Sequence, residues 1–118
     1  MGRVVTRYIA LIWTKHDTDA DISADEVAGY DAFAQAAQEA GVLREGSALH
    51  PVSVSTTLRL RDDEVLITDG PFVESKEQLS GYFVLECADL DEALAWAARI
   101  PGARHGAIEV RPLFRDHE

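Results

Sequence analysis

The chain has one cysteine, one methionine and only two lysines, and no long apolar run. Each shortage excludes something. Cys87 alone cannot close an internal disulfide, and a single thiol does not make a zinc site. Lys15 and Lys76 are the only lysines, and 11 basic side chains face 21 acidic ones, a formal charge of −10 at pH 7. Nucleic acids and anionic membrane surfaces both need clustered Lys and Arg, so neither partner is expected. The longest apolar run, residues 8–13, falls far short of the ~20 residues that span a bilayer. No small-residue cleavage site follows it before Lys15 and Asp17, so a secretory leader is not expected. The sequence also lacks a close His/Cys cluster, a phosphate-cradling Gly-rich loop and a Ser nucleophile elbow, so no metal and no cofactor is expected. What remains is a reduced, cytoplasmic globular protein. Its 118 residues are enough for one domain, and 47% hydrophobic content argues against disorder.

The pattern of apolar residues predicts the order β-α-β-β-β-α-β. Residues 3–13 are mostly β-branched, aromatic or aliphatic, with Tyr8, Ala10 and Ile12 on one face and Ile9, Leu11 and Trp13 on the other. A strand apolar on both faces is covered on both sides. Ser23 followed by Glu26 is a capping-box signature, and Val27, Tyr30, Phe33 or Ala34, and Ala37 recur at helical spacing, which predicts a helix over 24–40 with Gly41 as its stop. Residues 46–52 read as a connection. Val54, Thr56, Leu58 and Leu60 alternate with polar residues, Asp62-Asp63 signals a turn, and 64–68 returns, so a hairpin is expected. Residues 69–80 read as a charged loop broken by Gly70-Pro71. A second two-faced strand is expected over 81–87, a helix opening at Asp89 and stopping near Pro101, and a last strand over 107–113. Two helices on an antiparallel sheet make an α+β sandwich of the ferredoxin-like type, here with an added hairpin strand. Two helices cover only one face of that sheet. The second apolar face needs another partner, and a homodimer with sheets packed face to face is the expected answer.

Several residues invite a chemical reading, each beside a structural one. Asp69 before Gly70-Pro71-Phe72 can fix a sharp turn through backbone bonds while Phe72 plugs the core. Alternatively, Asp69 is a general base at a strand end, where Gly70 lets a ligand approach. Glu74, Lys76 and Glu77 are either a solvated surface or a lid. Arg59 and Arg111 lie on polar strand faces and can hold a small anionic ligand, or pair with Glu109, Asp69 or a partner carboxylate. His50 and His105 stand beside turns, as surface residues or as acid–base groups near neutral pH; His16 and His117 are weaker candidates. Asp17, Asp19 and Asp21 resemble the start of a calcium loop, but Ile22 and Ala28 occupy the positions that need Gly and Glu. Trp13 and Trp96 are expected in the core or a dimer contact, and Cys87 as a small buried hydrophobe.

The run Asp69-Gly70-Pro71-Phe72-Val73-Glu74-Ser75-Lys76-Glu77-Gln78-Leu79-Ser80-Gly81 resembles the signature of the YCII-related family, in its DGPF-motif branch. Tyr30-Asp31-Ala32-Phe33, Leu49-His50-Pro51, Thr56-Thr57-Leu58-Arg59, Asp89-Leu90-Asp91-Glu92-Ala93 and Glu109-Val110-Arg111-Pro112 resemble other segments of that branch. The resemblance implies a dimeric α+β barrel. It also implies a genomic association with sigma factors of the extracytoplasmic-function type, and a few superfamily relatives that are small lyase-like or dehalogenating enzymes. Compact relatives carry a His in the first helix that works with an Asp; residues 24–40 here contain no His.

Two functions follow as expectations. One is a regulatory or ligand-binding protein of bacterial signalling that acts beside a sigma factor. The other is a small-molecule enzyme of lyase or dehalogenase type, with Asp69 as general base, Arg59 or Arg111 holding the substrate and His50 or His105 assisting. Seven of the acids fall within residues 16–39, which contain no Lys or Arg. The charge therefore belongs mainly to the loop and the outward face of the first helix, while arginines lie on or beside predicted strands.

Overall fold

A computed structural model describes residues 5–15 and 23–114. Asp17, Asp19, Asp21, His16 and His117 lie outside the described residues. The main sheet has four strands, all antiparallel: β1 (Thr6–Thr14), β2 (Leu43–Ala48), β5 (Gln78–Cys87) and β6 (Ala107–Pro112), in spatial order β2-β5-β1-β6. Between β2 and β5 the chain forms a separate hairpin, β3 (Thr56–Arg61) and β4 (Glu64–Asp69). Helices α1 (Ala24–Glu39) and α2 (Leu90–Ala97) complete an α+β fold consistent with the ferredoxin-like arrangement.

Helix ends follow their sequence signals. Ser23 Oγ accepts the Glu26 amide at 3.0 Å, and Asp89 Oδ1 accepts the Glu92 amide at 2.9 Å. Glu92 reaches back to accept the Ala88 amide at 2.6 Å, closing a reciprocal cap. Each such cap contributes ~1 kcal/mol. At the far end of α1, Gly41 turns left-handed and the Val42 amide returns to the Ala37 carbonyl at 2.9 Å, a Schellman stop.

The core lies between the helices and one face of the sheet. Tyr8, Ala10 and Ile12 of β1 are buried there, with Leu85 and Cys87 of β5, Phe33 and Ala37 of α1, and Ala93 and Ala97 of α2. Phe33 gathers the aromatics: its ring centroid is 4.8 Å from Phe83 and 6.2 Å from Trp96, edge-on to the latter. Residues Ile9, Leu11 and Trp13 point to the opposite face, beside Val84 and Tyr82 of β5. No described helix covers that face, and the molecule is only 18 Å across its shortest axis.

Two expectations need correction. Residues 46–52 do not form a simple connection, because β2 occupies Leu43–Ala48 and pairs with β5. Its sequence, LREGSA, has no apolar alternation; it is an edge strand held by backbone hydrogen bonds, so burial leaves no trace in its side chains. Secondly, the hairpin does not add a strand to the main sheet but forms its own two-stranded sheet. Its alternation is genuine: Leu58 faces Ile67 and Leu60 faces Val65, all on one side. Yet Leu58 is 60% exposed and Ile67 64%. The pattern marks a surface that favours burial, not one the chain itself buries. The turn at Asp62-Asp63 has positive φ at both residues, which matches a tight two-residue hairpin.

Gly46 controls how β2 meets the core. A Cβ at this position would sit 2.4 Å from Cδ1 of Phe83 and 3.0 Å from the Tyr82 carbonyl. Phe83 cannot withdraw, because Phe33 is packed against it. A Gly46→Ala variant should lose about 1–3 kcal/mol in denaturant unfolding, the usual cost of overpacking. Unchanged stability would mean that Phe83 has room to move.

Candidate ligand-binding cleft

The first half of α1 lies over the end of the sheet and leaves a cleft of about 300 Å³. Val27, Tyr30, Asp31 and Ala34 come from one helix face at i, i+3, i+4 and i+7. The floor is built from small residues, Gly46 and Ala48 of β2 and Gly81 of β5, closed by the ring of Phe83. That scarcity of side chains beneath a helix is why space remains. The lining is mainly apolar, with a few polar groups converging on it, as in sites for small organic molecules.

A β-bulge places one of those groups. Ile12 pairs with Gly81 but Trp13 pairs with Leu79, so Ser80 is the extra residue. Its hydroxyl donates to the Ile12 carbonyl at 3.1 Å and lies 2.9 Å from Thr14 Oγ1. Ser80 thereby satisfies the interrupted ladder while lining the cleft. Tyr30 supplies a half-buried phenol. Burial and the nearby Glu26 carboxylate push its pKa up, opposed by a hydrogen bond from the Gly102 backbone. Glu26 Oε2 lies 3.5 Å from His105 Nε2. Glu26 and Asp31 are the charged residues of the lining, and both are acidic.

The residues singled out from the sequence lie mostly elsewhere. A second cleft, of about 370 Å³, opens at the hairpin base and is lined by His50, Thr57, Pro71, Phe72 and Leu79 among others. Arg59 covers the Phe72 ring at 4.5 Å, and Phe72 is 66% exposed rather than a core plug. Gly70 adopts φ +112°, which favours glycine; its amide donates to the Ser55 carbonyl at 2.8 Å and its carbonyl accepts Thr57 Oγ1 at 2.7 Å. The bend is thus held by Gly70, Ser55 and Thr57, with Asp69 exposed at the end of β4. Gly70, Pro71 and Glu74 also line a shallower hollow with Val52 and Gln78, and Lys76 is exposed on the same loop. Arg111 is exposed on β6, opposite Ile9, and Glu109 accepts the Trp13 indole N–H at 3.1 Å. The structure brings His50, Pro71 and Phe72 together, with Arg59 over Phe72, and places His105 against α1.

Sequence reasoning missed Tyr30, Glu26, Asp31, Ser47 and Ser80 as a set. The available signal was the pairing of small-residue segments, Gly46-Ser47-Ala48 and Ser80-Gly81, with one face of α1. On the sheet's uncovered face, Glu86 bridges Arg44 and Arg7. The Arg44 hydrogen bond, helped by Arg7, holds the Glu86 carboxyl below its ordinary range against desolvation. Among the described residues no three His, Cys, Asp or Glu side chains come together as metal ligands, and no helix is long and apolar enough to cross a membrane.

A four-stranded antiparallel sheet with two helices on one face defines a small α+β fold. Residues 7–115 match the model of the YCII-related domain, and the chain belongs to that family. It is 46% identical over 77 residues to an uncharacterized protein of Rhizobium meliloti (strain 1021), a match that takes in 64% of this chain. The matched part spans 62% of that relative's length.

Tyr30 gives a direct check on the cleft. Its pKa is raised in the fold, so its contribution to stability is complete at neutral pH and declines as pH rises past the ordinary phenol value of 10.0. An ultraviolet titration should show a phenol ionising above that value, and Tyr30→Phe should remove it. If the variant titrates like the parent, Tyr30 is not in the environment described.

Proposed function

We propose that the protein is a homodimeric, small-molecule-binding protein of regulatory role, from the DGPF-motif branch of its family. The cleft beneath α1 carries this reading. It is preformed, mostly apolar and about 300 Å³, and Tyr30 and Ser80 are among the residues of its wall. Its size suits a small organic molecule. A small anion, expected from the strand arginines, belongs in this reading to the hairpin cleft, where Arg59 lies over Phe72. The sigma factor implied by the family resemblance is the downstream partner, and the loop bearing Glu74 and Lys76 is the surface offered to it. The enzyme alternative needs Asp69, an arginine and a histidine on one pocket. His50 lines the hairpin cleft and Arg59 lies over Phe72 there, but Asp69 is exposed on β4 and is not in that lining, while Arg111 lies on β6 and His105 against α1, so the three groups do not share one pocket.

The homodimer is supported by the uncovered sheet face. Half-buried Ile9, Leu11 and Trp13 of β1 and Tyr82 of β5 make it apolar around Val84, which is already buried, and the hairpin separately exposes Leu58, Leu60, Val65 and Ile67. Packing a second copy there removes apolar surface from water at roughly 25 cal/mol per Å².

Two measurements test these points. A thermal-shift screen of small carboxylates, phenols and amines should yield stabilising compounds, and Ala34→Phe, which fills the cleft, should abolish those shifts while leaving the circular dichroism unchanged. Retained shifts in Ala34→Phe would place the ligand elsewhere. Light scattering at micromolar concentration should give twice the 13.0 kDa chain mass, and Leu11→Lys should reduce it to one chain. A wild-type chain that scatters as a monomer contradicts the dimer.

A further inference from the structure

The cleft beneath α1 has a sign. Its lining contains Glu26 and Asp31 and no Lys or Arg. Glu26 is well covered, with its side chain only 15% exposed, so its carboxylate acts across a less screened medium than an open surface group. Glu26 Oε2 lies 3.5 Å from His105 Nε2, a group charged only when protonated. The remainder of the described α1 adds Asp25 and Glu39 and no base, so the surrounding field reinforces the lining. Two aromatic residues, Tyr30 of the same helix and Phe83 of β5, also line the cleft, and aromatic ring faces attract positive charge. An anion entering this cleft meets two carboxylates and, among the described lining residues, no Lys or Arg.

We propose that the cleft selects a small apolar molecule carrying a cationic nitrogen, an aryl- or alkylamine. The ammonium is held by Glu26 with Asp31 at the rim, and the apolar part lies on Phe83, Val27 and Ala34. The proposal rests on the cleft being the ligand site and adds the chemical class. It differs from the anionic ligand that the strand arginines imply, because Arg59 and Arg111 are not in this lining.

A matched trio separates the possibilities: phenethylamine, phenethyl alcohol and phenylacetate, which share one ring and one chain length and differ in charge. Binding to the full-length protein is followed by chemical-shift changes of the Phe83 ring and Ala34 methyl signals at millimolar concentration. The amine should bind about tenfold more tightly than the alcohol, the scale of a charge-assisted hydrogen bond over a neutral one, and the acid most weakly. Glu26→Gln should bring the amine-to-alcohol ratio towards one. Because Glu26 is part of the first turn of α1, Asp31→Asn, at an exposed position, provides a second variant that should narrow the same ratio. Phenylacetate binding as well as the amine, or a ratio unchanged in both variants, overturns the cationic class but leaves the cleft as the site. If none of the three compounds moves the Phe83 and Ala34 signals, the cleft reading falls as well.

Discussion

The pairing of β1 with β5 is the constraint from which the rest of the structure follows. These two strands form the centre of the sheet, and each carries apolar side chains on both faces. On one face Tyr8, Ala10, Ile12, Leu85 and Cys87 are sealed by α1 and α2. Fully burying a large side chain of this kind contributes about 1.5–3 kcal/mol, so this face fixes where the helices go. On the other face Ile9, Leu11, Trp13 and Tyr82 find no helix. One ladder thus generates both a core and an apolar surface in search of cover.

The same ladder sets the cleft. Its one irregularity, the bulge at Ser80, falls where β1 and β5 pass beneath the start of α1. There the neighbouring strand contributes Gly46 and Ala48, residues too small to fill the space below the helix. A large side chain at those positions would extend the core to the end of α1. Their absence leaves a hollow that Tyr30 and Glu26 border, with Gly102 and His105 behind them. The hairpin sits apart from this arrangement. Its backbone is held by its own ladder and by Gly70, whose amide and carbonyl are both satisfied within the bend.

What the sequence reveals tracks what burial writes into it. The two faces of β1, the caps at Ser23 and Asp89, the stop at Gly41 and the turn at Asp62-Asp63 are all legible, because each depends on a side chain or a backbone freedom that only certain residues supply. β2 is not legible, since an edge strand needs backbone groups alone. The cleft is illegible for a related reason. It is defined by small residues from separate strands, Gly46 and Gly81, and only their pairing across the sheet brings them under Tyr30. Asp69, Gly70, Pro71 and Phe72 attract notice as a motif; in three dimensions Gly70 has a clear backbone task, and Pro71 and Phe72 border a different opening from the one beneath α1. The sequence places the acids of the first helix on its outward face, yet Glu26 and Asp31 line the cleft, because only the packing of α1 against β2 and β5 decides which turn faces the hollow.

The central claim is that ligands enter beneath α1 rather than at the hairpin base. Methyl-labelled protein titrated with a mixture of small organic fragments tests it most directly, since the two openings have distinct methyl groups. The prediction is that the first shifts appear at Ile12, Val27, Ala34 and Ala48. Shifts confined to Leu49, Val52, Val54 and Leu79, which border the hairpin cleft, would contradict it.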